Sequence, residues 1–444
     1  MDVRRPANPA ALWIVLLIMA GTLLSGCDRE PGADLGPATS GMESQDGFSH
    51  PDRVQTGSER LLSDYLHELE GHRVGLVMNP TARVGEVHML DTLLSLEVNV
   101  TALFAPEHGF RGEAGAGEQI EGGVDLTTGL PVFSLYGETR QPTPEMLGEV
   151  DLLLFDMQDV GARFYTWNST LGLLLEAAAD HGVPVWVLDR PNPAGGEYVS
   201  GWVMEDSLRS FVGRYPIPIA HGMTLGELAR MMVGESWIET EGGRAPDLRV
   251  IEMRGWSREM LWHDTGLPWI APSPNLPSFE HAYVYLGTCL VEGTTLSEGR
   301  GTDDPFLTIG SPTTRIGVEE LAVLEAQIPG MELELADFTP ISLPGKALYP
   351  KHEGVVNHGI RIMVTDFDRY RPVEAGLRLL TFLMERSEGA EVLPFFYRLS
   401  GSPDALRLVS GETSEPEFGL EGFMERRARY LLYGQEEDSR PLPE

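Results

Sequence analysis

The chain has 444 residues, 42% hydrophobic and 23% charged, enough for a large core in two or three domains. Its formal net charge of −34 excludes the basic face that nucleic acid requires and argues against electrostatic docking on anionic lipid. Lysine occurs only at Lys346 and Lys351, so nearly all positive charge is arginine, a residue suited to fixed forks on carboxylates.

Arg4 and Arg5 precede the apolar run "ALWIVLLIMAGTLL", which leads into Leu24-Ser25-Gly26-Cys27. A basic start, a short apolar segment and small residues before a cut site form an export signal, and the run is too short for a transmembrane helix. The last four residues resemble a bacterial lipobox, which implies cleavage before Cys27 and lipidation of its thiol. Residues 1–27 are thus expected to be a lipoprotein signal peptide. The product would be an exported, membrane-anchored lipoprotein facing the periplasm or cell exterior. Residues 28–57, rich in Gly, Pro, Ser and Asp, read as a flexible tether. Beyond Cys27 there is only Cys289, so no internal disulfide is possible, and zinc sites built on several cysteines are excluded. Cys289 sits in "VYLGTCLVEG" and reads as a small core residue.

From residue 58 the pattern becomes that of a folded domain. Strands are expected at 73–80, 99–106, 150–161, 183–193 and 248–253, and helices at 88–96, 169–182 and from Thr224 onward. Gly182 is placed as a helix stop, and "TLGE" (224–227) is a capping box. Strands that are apolar throughout, with helices between them, indicate a parallel sheet buried on both faces. Four prolines within 268–277 make regular structure improbable there and place a junction near residue 280. The expectation is therefore an α/β chain. It has a Rossmann-like N-terminal domain (58–280), a smaller α+β C-terminal domain (281–436) and a tail (437–444). "GEAGAGE" fails the dinucleotide spacing, because Ile120 stands where a third glycine belongs, so no nucleotide cofactor is expected. The sequence carries no signal for oligomeric state.

In open parallel sheets, ligands bind outside the carboxyl ends of the strands. The strand ends "MNPTAR", "APEHGFRG", "FDMQDVGARFY" and "LDRPNP" are polar. They put Asn79, Glu107, His108, Arg111, Asp156, Gln158, Asp159, Arg163, Tyr165, Asp189 and Arg190 on one rim. One polar strand end is ordinary in a soluble protein; four together point to a polar cleft. A second polar stretch, "VEGTTLSEGRGTDDPF" (291–306), crowds Glu292, Glu298, Arg300, Asp303 and Asp304 among glycines. It reads as a loop facing that cleft, against the plainer reading of an acidic surface loop. Carboxylates and arginines dominate, and neither a Gly-x-Ser-x-Gly elbow nor a His-Glu-x-x-His motif occurs. His108, His221 and His281 have no informative metal spacing, and no metal is assigned. Glycoside hydrolysis needs a carboxyl proton donor and often a second acid. Glu107 is the best donor candidate, at a rim where partial burial would favour its protonated form; the plain alternative is an acid capping nearby amides.

The motifs "APEHGFRG", "TGLPVFSLYG", "DLLLFDMQDVGARFYTW", "LDRPNPAGG", "HGMTLGELA", "TGLPWIAPSPNLP" and "EGTTLSEGRGTDDPF" run in order along the mature chain. Together they resemble the exo-β-N-acetylmuramidase NamZ family, formerly known as DUF1343. The resemblance implies a Rossmann-like domain, a smaller second domain, and a cleft between them. It also implies release of N-acetylmuramic acid from non-reducing ends of peptidoglycan fragments, namely muropeptides and MurNAc-GlcNAc. Glu107 falls on the glutamate of the family's Glu-His-Gly motif. His108, Arg111, Asp156, Gln158, Asp159, Arg163, Tyr165, Asn275, Glu292, Glu298 and Arg300 fall on other motif positions. Trp167 stands where tyrosine is usual, and Thr295 where asparagine is common; both changes would alter sugar contacts.

Muramic acid carries a lactyl carboxylate, so a specific pocket should hold arginine; Arg111, Arg163, Arg190 and Arg300 are the candidates. Asn79 joins them as a polar contact, with Tyr165 and Trp167 against the sugar face. Glu107 is then the acid, and Glu292, Glu298, Asp159 or the substrate's own acetamido group supplies the second function. The rivals are a non-catalytic sugar- or muropeptide-binding lipoprotein and a metal-dependent hydrolase.

Overall fold

The computed structural model describes residues 53–107, 109–111, 122–137 and 139–434. The leader with Cys27, the tether up to residue 52, His108, the "GEAGAGE" segment and the tail 437–444 lie outside the described residues.

Seven strands form one sheet: β1 (Val74–Met78), β2 (Val100–Ala105), β3 (Gly123–Val124), β4 (Pro131–Ser134), β5 (Leu152–Asp156), β6 (Val185–Leu188) and β7 (Leu248–Ile251). Their spatial order is β3-β4-β2-β1-β5-β6-β7. All pairs are parallel except β3 with β4. The chain thus winds outward from β1 in both directions, first through β2 and β4, then through β5, β6 and β7. β1 lies at the reversal, where such sheets open a crevice at their carboxyl ends.

The uniformly apolar strands are explained by a core on each face. Leu153 and Phe155 enter one core with Val77, Phe104, Val185 and Val187. Leu152 and Leu154 enter the other with Leu76, Met78, Leu103 and Ile251. Helix α1 (Met89–Ser95) starts where the His88 ring accepts the Leu90 amide, and α2 (Trp167–His181) ends at Gly182 with a φ of 70°. Helix α3 (Leu225–Gly234) begins with the expected capping box: the Glu227 amide donates to Thr224 Oγ1 at 3.1 Å, and the Thr224 amide donates back to Glu227.

The folded part starts earlier than composition indicates. Val54 is buried, Thr56 and Glu59 form another capping box, and the Gly57 amide donates to the Asp189 carbonyl at 2.8 Å. Gly57 serves close approach here rather than flexibility, because a Cβ would collide with the Asp189 amide.

Residues 266–278 form neither helix nor strand, in keeping with their prolines. Beyond them come α4 (Phe279–Thr288), a 3₁₀ turn at Cys289–Gly293, and the antiparallel strands β8 (Thr308–Ser311), β9 (Met331–Phe338) and β10 (Asn357–Val364) in the order β8-β10-β9. Cys289 is buried as a core residue. Helix α5 (Pro372–Arg386) crosses α4 at Gly376 against Gly287, where a Cβ on either would meet the other backbone. Helix α6 (Pro394–Ser400) packs beside the 3₁₀ turn. The final helix spans Glu421–Arg427. The residues after it are held otherwise: the Leu432 amide donates to Glu227, and the Tyr433 hydroxyl to Asp189.

Candidate active site

The chain beyond β2 turns at Pro106, whose carbonyl accepts the Gly109 amide at 3.1 Å; Gly109 has a φ of 83°. This turn presents Glu107 to a cavity of about 780 Å³. The segment after β4 contributes Tyr136 and Arg140 to its wall, and the segment after β5 contributes Phe164 to Trp167. The second half of the chain supplies Tyr285 from α4, the acids Glu292 and Glu298, Arg300, and the loop 347–351. The cavity is therefore built by both halves.

Glu107 accepts from the Thr166 hydroxyl at 3.4 Å. Tyr136 is also a neighbour: burial, then the negative charge of Glu107 and a hydrogen bond to it, push the Tyr136 hydroxyl well above the usual phenol range. Tyr165 is pushed up in the same way, by burial first and then by Glu107 and Asp159. Both phenols stay protonated beside the Glu107 charge, and Tyr136 is the one that bonds it.

The other acids form a cluster with two cations. Arg300 donates through Nε and a terminal nitrogen to Glu292 Oε1, at 2.8 and 2.6 Å, and its Nε lies 3.7 Å from Glu298. Lys351 Nζ lies 3.0 Å from Glu298 Oε2 and donates to the carbonyls of Val291, Glu292 and Leu296. Burial would weaken the Arg300 cation, but Glu292 and Glu298 outweigh it and hold the guanidinium more firmly protonated than usual. The guanidinium also lies 5.0 Å from the centre of the Phe306 ring. Phe306 itself has a φ of 68°, a strained value for a side-chain-bearing residue inside this acid loop.

An aromatic chain joins the halves. Tyr165 meets Trp167 edge-on at 5.1 Å and Tyr285 at 6.2 Å, and Tyr285 meets Phe306 at 4.8 Å. Tyr165 and Trp167 line the cavity but are almost wholly buried, so they form its wall rather than an open platform. The open aromatic is Tyr349, 89% exposed and held at a φ of 65°.

Glu107, Tyr165, Trp167, Glu292, Glu298 and Arg300 are thus brought together. Other residues expected at the site do not line the cavity. Asp159 is buried, with Oδ2 accepting the Gly161 amide at 2.9 Å and lying 3.4 Å from His221. Asp156 is buried in an ion pair with Arg190 and accepts from the Ser58 hydroxyl. Asn79 accepts from Thr81, and Gln158 donates to the carbonyls of Asp159 and Pro191. Arg163 is fully buried and donates to the carbonyls of Trp202, Ile217 and Leu399, at 2.6, 2.9 and 2.6 Å. Arg111 pairs with Asp125 and Asp91. Asn275 donates to the Lys346 carbonyl at 2.7 Å and so steadies the loop that carries Lys351. Thr295 accepts the Glu391 amide and stays off the lining. These residues shape the rim from behind: a polar side chain after a strand can serve a neighbouring loop as readily as a ligand.

Among the described residues, no group of three His, Cys, Asp or Glu is placed to hold a metal ion. His221 accepts the Met223 amide, while His281 lies against Ser278 and burial pulls its pKa down to about 4.

Sequence reasoning passed over Tyr136, Arg140, Tyr349, Lys351 and Arg398, all on the cavity wall. Signals existed for two of them: Tyr136 stands in the "TGLPVFSLYG" motif, and Lys351 is one of the chain's two lysines, the other, Lys346, donating to the Thr302 carbonyl beside the acid loop.

A proton-donor candidate ringed by hydroxyls, a second acid cluster with matched cations, and aromatic walls suit a polar, neutral-to-anionic sugar. Comparison with known proteins agrees. The family model for the N-terminal domain of the exo-β-N-acetylmuramidase NamZ matches residues 74–280, and that for its C-terminal domain matches residues 283–433. The chain is 41% identical over 409 residues to the peptidoglycan β-N-acetylmuramidase NamZ of Bacillus subtilis strain 168, covering 89% of this chain and 95% of that protein. Two crystal structures of DUF1343 family proteins from Bacteroides fragilis share the fold. One has a TM-score of 0.74 at 32% identity, over 86% of this chain and 100% of the other. The second has a TM-score of 0.72 at 33% identity, over 86% and 99%.

Proposed function

Because the chain belongs to the exo-β-N-acetylmuramidase NamZ family, we propose that it is a glycoside hydrolase releasing N-acetylmuramic acid from the non-reducing ends of peptidoglycan fragments. The observation that carries the mechanism is Glu107, held at the carboxyl end of β2 on a cavity that the Glu292–Arg300–Glu298 cluster also lines.

In this reading Glu107 protonates the glycosidic oxygen as the bond breaks. The hydroxyls of Thr166 and Tyr136 fix its orientation and stabilise the carboxylate left after transfer. Glu292 is the second acid. Its side chain is 19% accessible against 5% for Glu298, so it is the one that reaches substrate, while Glu298 anchors Arg300 and Lys351. Its charge faces the sugar ring, where positive charge develops in the transition state. Tyr349 supplies an apolar face for a saccharide ring at the cavity mouth.

The leader motif supports export and attachment through a lipid on Cys27, which would hold the enzyme where peptidoglycan lies. Labelling cells with a radioactive fatty acid tests this: label on the wild type, absent from Cys27→Ala, is expected, and unlabelled wild type rejects it. Hydrolysis of a chromogenic N-acetylmuramic acid β-glycoside tests the activity. Release by wild type is expected; binding of muropeptides without release would instead make the protein a binding lipoprotein.

A further inference from the structure

Four cationic side chains line the cavity: Arg140, Arg300, Lys351 and Arg398. Two of them are already matched, because Arg300 and Lys351 are held by Glu292 and Glu298. Among the described residues, no carboxylate lies at ion-pair distance from Arg140 or Arg398, and both are exposed. We propose that Arg140, with Arg398, binds the carboxylate that distinguishes a muramic acid ring from a glucosamine ring. The proposal rests on the glycosidase reading above and names the residues that would give it its sugar specificity.

Arg140 is built for this. Its guanidinium lies 4.3 Å from the centre of the Phe211 ring, and Phe211 is itself on the cavity wall. Stacking fixes the guanidinium plane and leaves its edge N–H groups for a two-pronged acceptor. It is also in the right neighbourhood. The positive charge of Arg140 opposes the effect of Glu107 on the Tyr136 hydroxyl, so the cation sits within electrostatic reach of the phenol that bonds Glu107. A ring whose glycosidic oxygen meets Glu107 carries its lactyl group one ring's width away. The electrostatics give a further reason. A chain of net charge −34 repels an anionic sugar, so recognition needs cations not already neutralised by the protein's own acids. The charge of Arg300 is already matched by two glutamates, and Arg111, Arg163 and Arg190 do not line the cavity.

The test compares two free sugars, N-acetylmuramic acid and N-acetylglucosamine, by titration calorimetry on wild type, Arg140→Ala, Arg140→Lys, Arg398→Ala and the double alanine variant. Wild type should bind the muramic acid at least about tenfold more tightly, the range of one charge-assisted contact. That preference should shrink by about tenfold in Arg140→Ala, recover partly in Arg140→Lys and vanish in the double variant. Because both side chains are exposed, melting temperatures should stay at the wild-type value, separating lost recognition from lost folding. A preference that survives in the double variant overturns the proposal, and so does a wild type that binds both sugars equally or neither. The outcome is separable from the glycosidase reading. An arginine-dependent preference without hydrolysis sinks only the enzyme, whereas hydrolysis with an arginine-independent preference sinks only this assignment.

Discussion

Lys351 Nζ lies 3.0 Å from Glu298 Oε2 while also donating to three main-chain carbonyls of the acid loop. A single ammonium therefore neutralises a nearly buried glutamate and folds the loop around it. Lys351→Met leaves Glu298 without that partner and three carbonyls unmet. The expected loss is about 2 kcal/mol of stability, below the figure for a wholly buried pair because Lys351 keeps some solvent contact. Adding Glu298→Gln removes a charge left, among the described residues, with Arg300 as its one remaining cation and should restore part of the melting temperature without restoring turnover. Thermal melts and kcat on the single and double variants check this; additive losses would show that the two groups are not coupled.

Glu107→Gln keeps the shape of the side chain and removes its proton. If Glu107 is the donor, kcat on an unactivated muramic acid glycoside should fall by roughly 10²–10⁴-fold. Tyr136→Phe removes only a hydroxyl that bonds Glu107, so a smaller loss of about tenfold is expected, chiefly in kcat. A glycoside with a good leaving group needs less protonation and should recover much of the Glu107→Gln loss. Equal losses on both substrates would assign Glu107 to binding instead.

Much of this architecture was legible because its signals are local. β1, β2, β5 and β6 are short apolar runs buried on both faces, and Thr224 with Glu227 announces a helix start within four residues. β4 is four residues long and opens on a proline, and β3 is only two residues long, so neither gives a firm strand signal. At the site, Glu107, Glu292, Glu298 and Arg300 stand out as charges among glycines. Asp156, Arg190 and Arg163 have the same local look yet are buried beneath the rim. Sequence cannot separate the two classes, because a charge after a strand is satisfied by ligand or by main chain depending on partners as far away as Ser58 and Leu399. Tyr136 stands in the quoted "TGLPVFSLYG" motif, but nothing local marks it as a partner of Glu107, and Arg398 reaches the cavity from a segment with no distinctive composition.

Arg163 illustrates the difference and gives a prediction. Burial alone pulls its pKa down to about 9, and its partners are carbonyls from distant parts of the chain. Arg163→Met should destabilise the protein by about 3 kcal/mol, since buried carbonyls lose their donors. Arg163→Lys should not rescue it fully, because one ammonium cannot reproduce the fork. Below the melting temperature KM for the muramic acid glycoside should change little. A large rise in KM with unchanged stability would return Arg163 to the substrate.

Asp189 gives the protein a pH-sensitive tie. Burial raises its pKa to about 7, against the opposing donation from Tyr433, Thr224 and Gly226. Below the ordinary carboxyl value of 3.8, folded and unfolded chains both hold the proton. Between there and about 7 only the folded chain holds it, so this group's contribution to stability is lost as pH rises through that window. At higher pH the folded carboxylate is charged, and the Tyr433 hydroxyl, 2.6 Å away, becomes a charge-assisted donor. Tyr433→Phe should therefore cost more at pH 8 than at pH 5, by about 1–2 kcal/mol. Taking the difference between variant and wild-type melts at each pH cancels the many surface acids that titrate in both. A Tyr433→Phe cost that is flat with pH would mean that Asp189 does not change charge in the folded protein over this range.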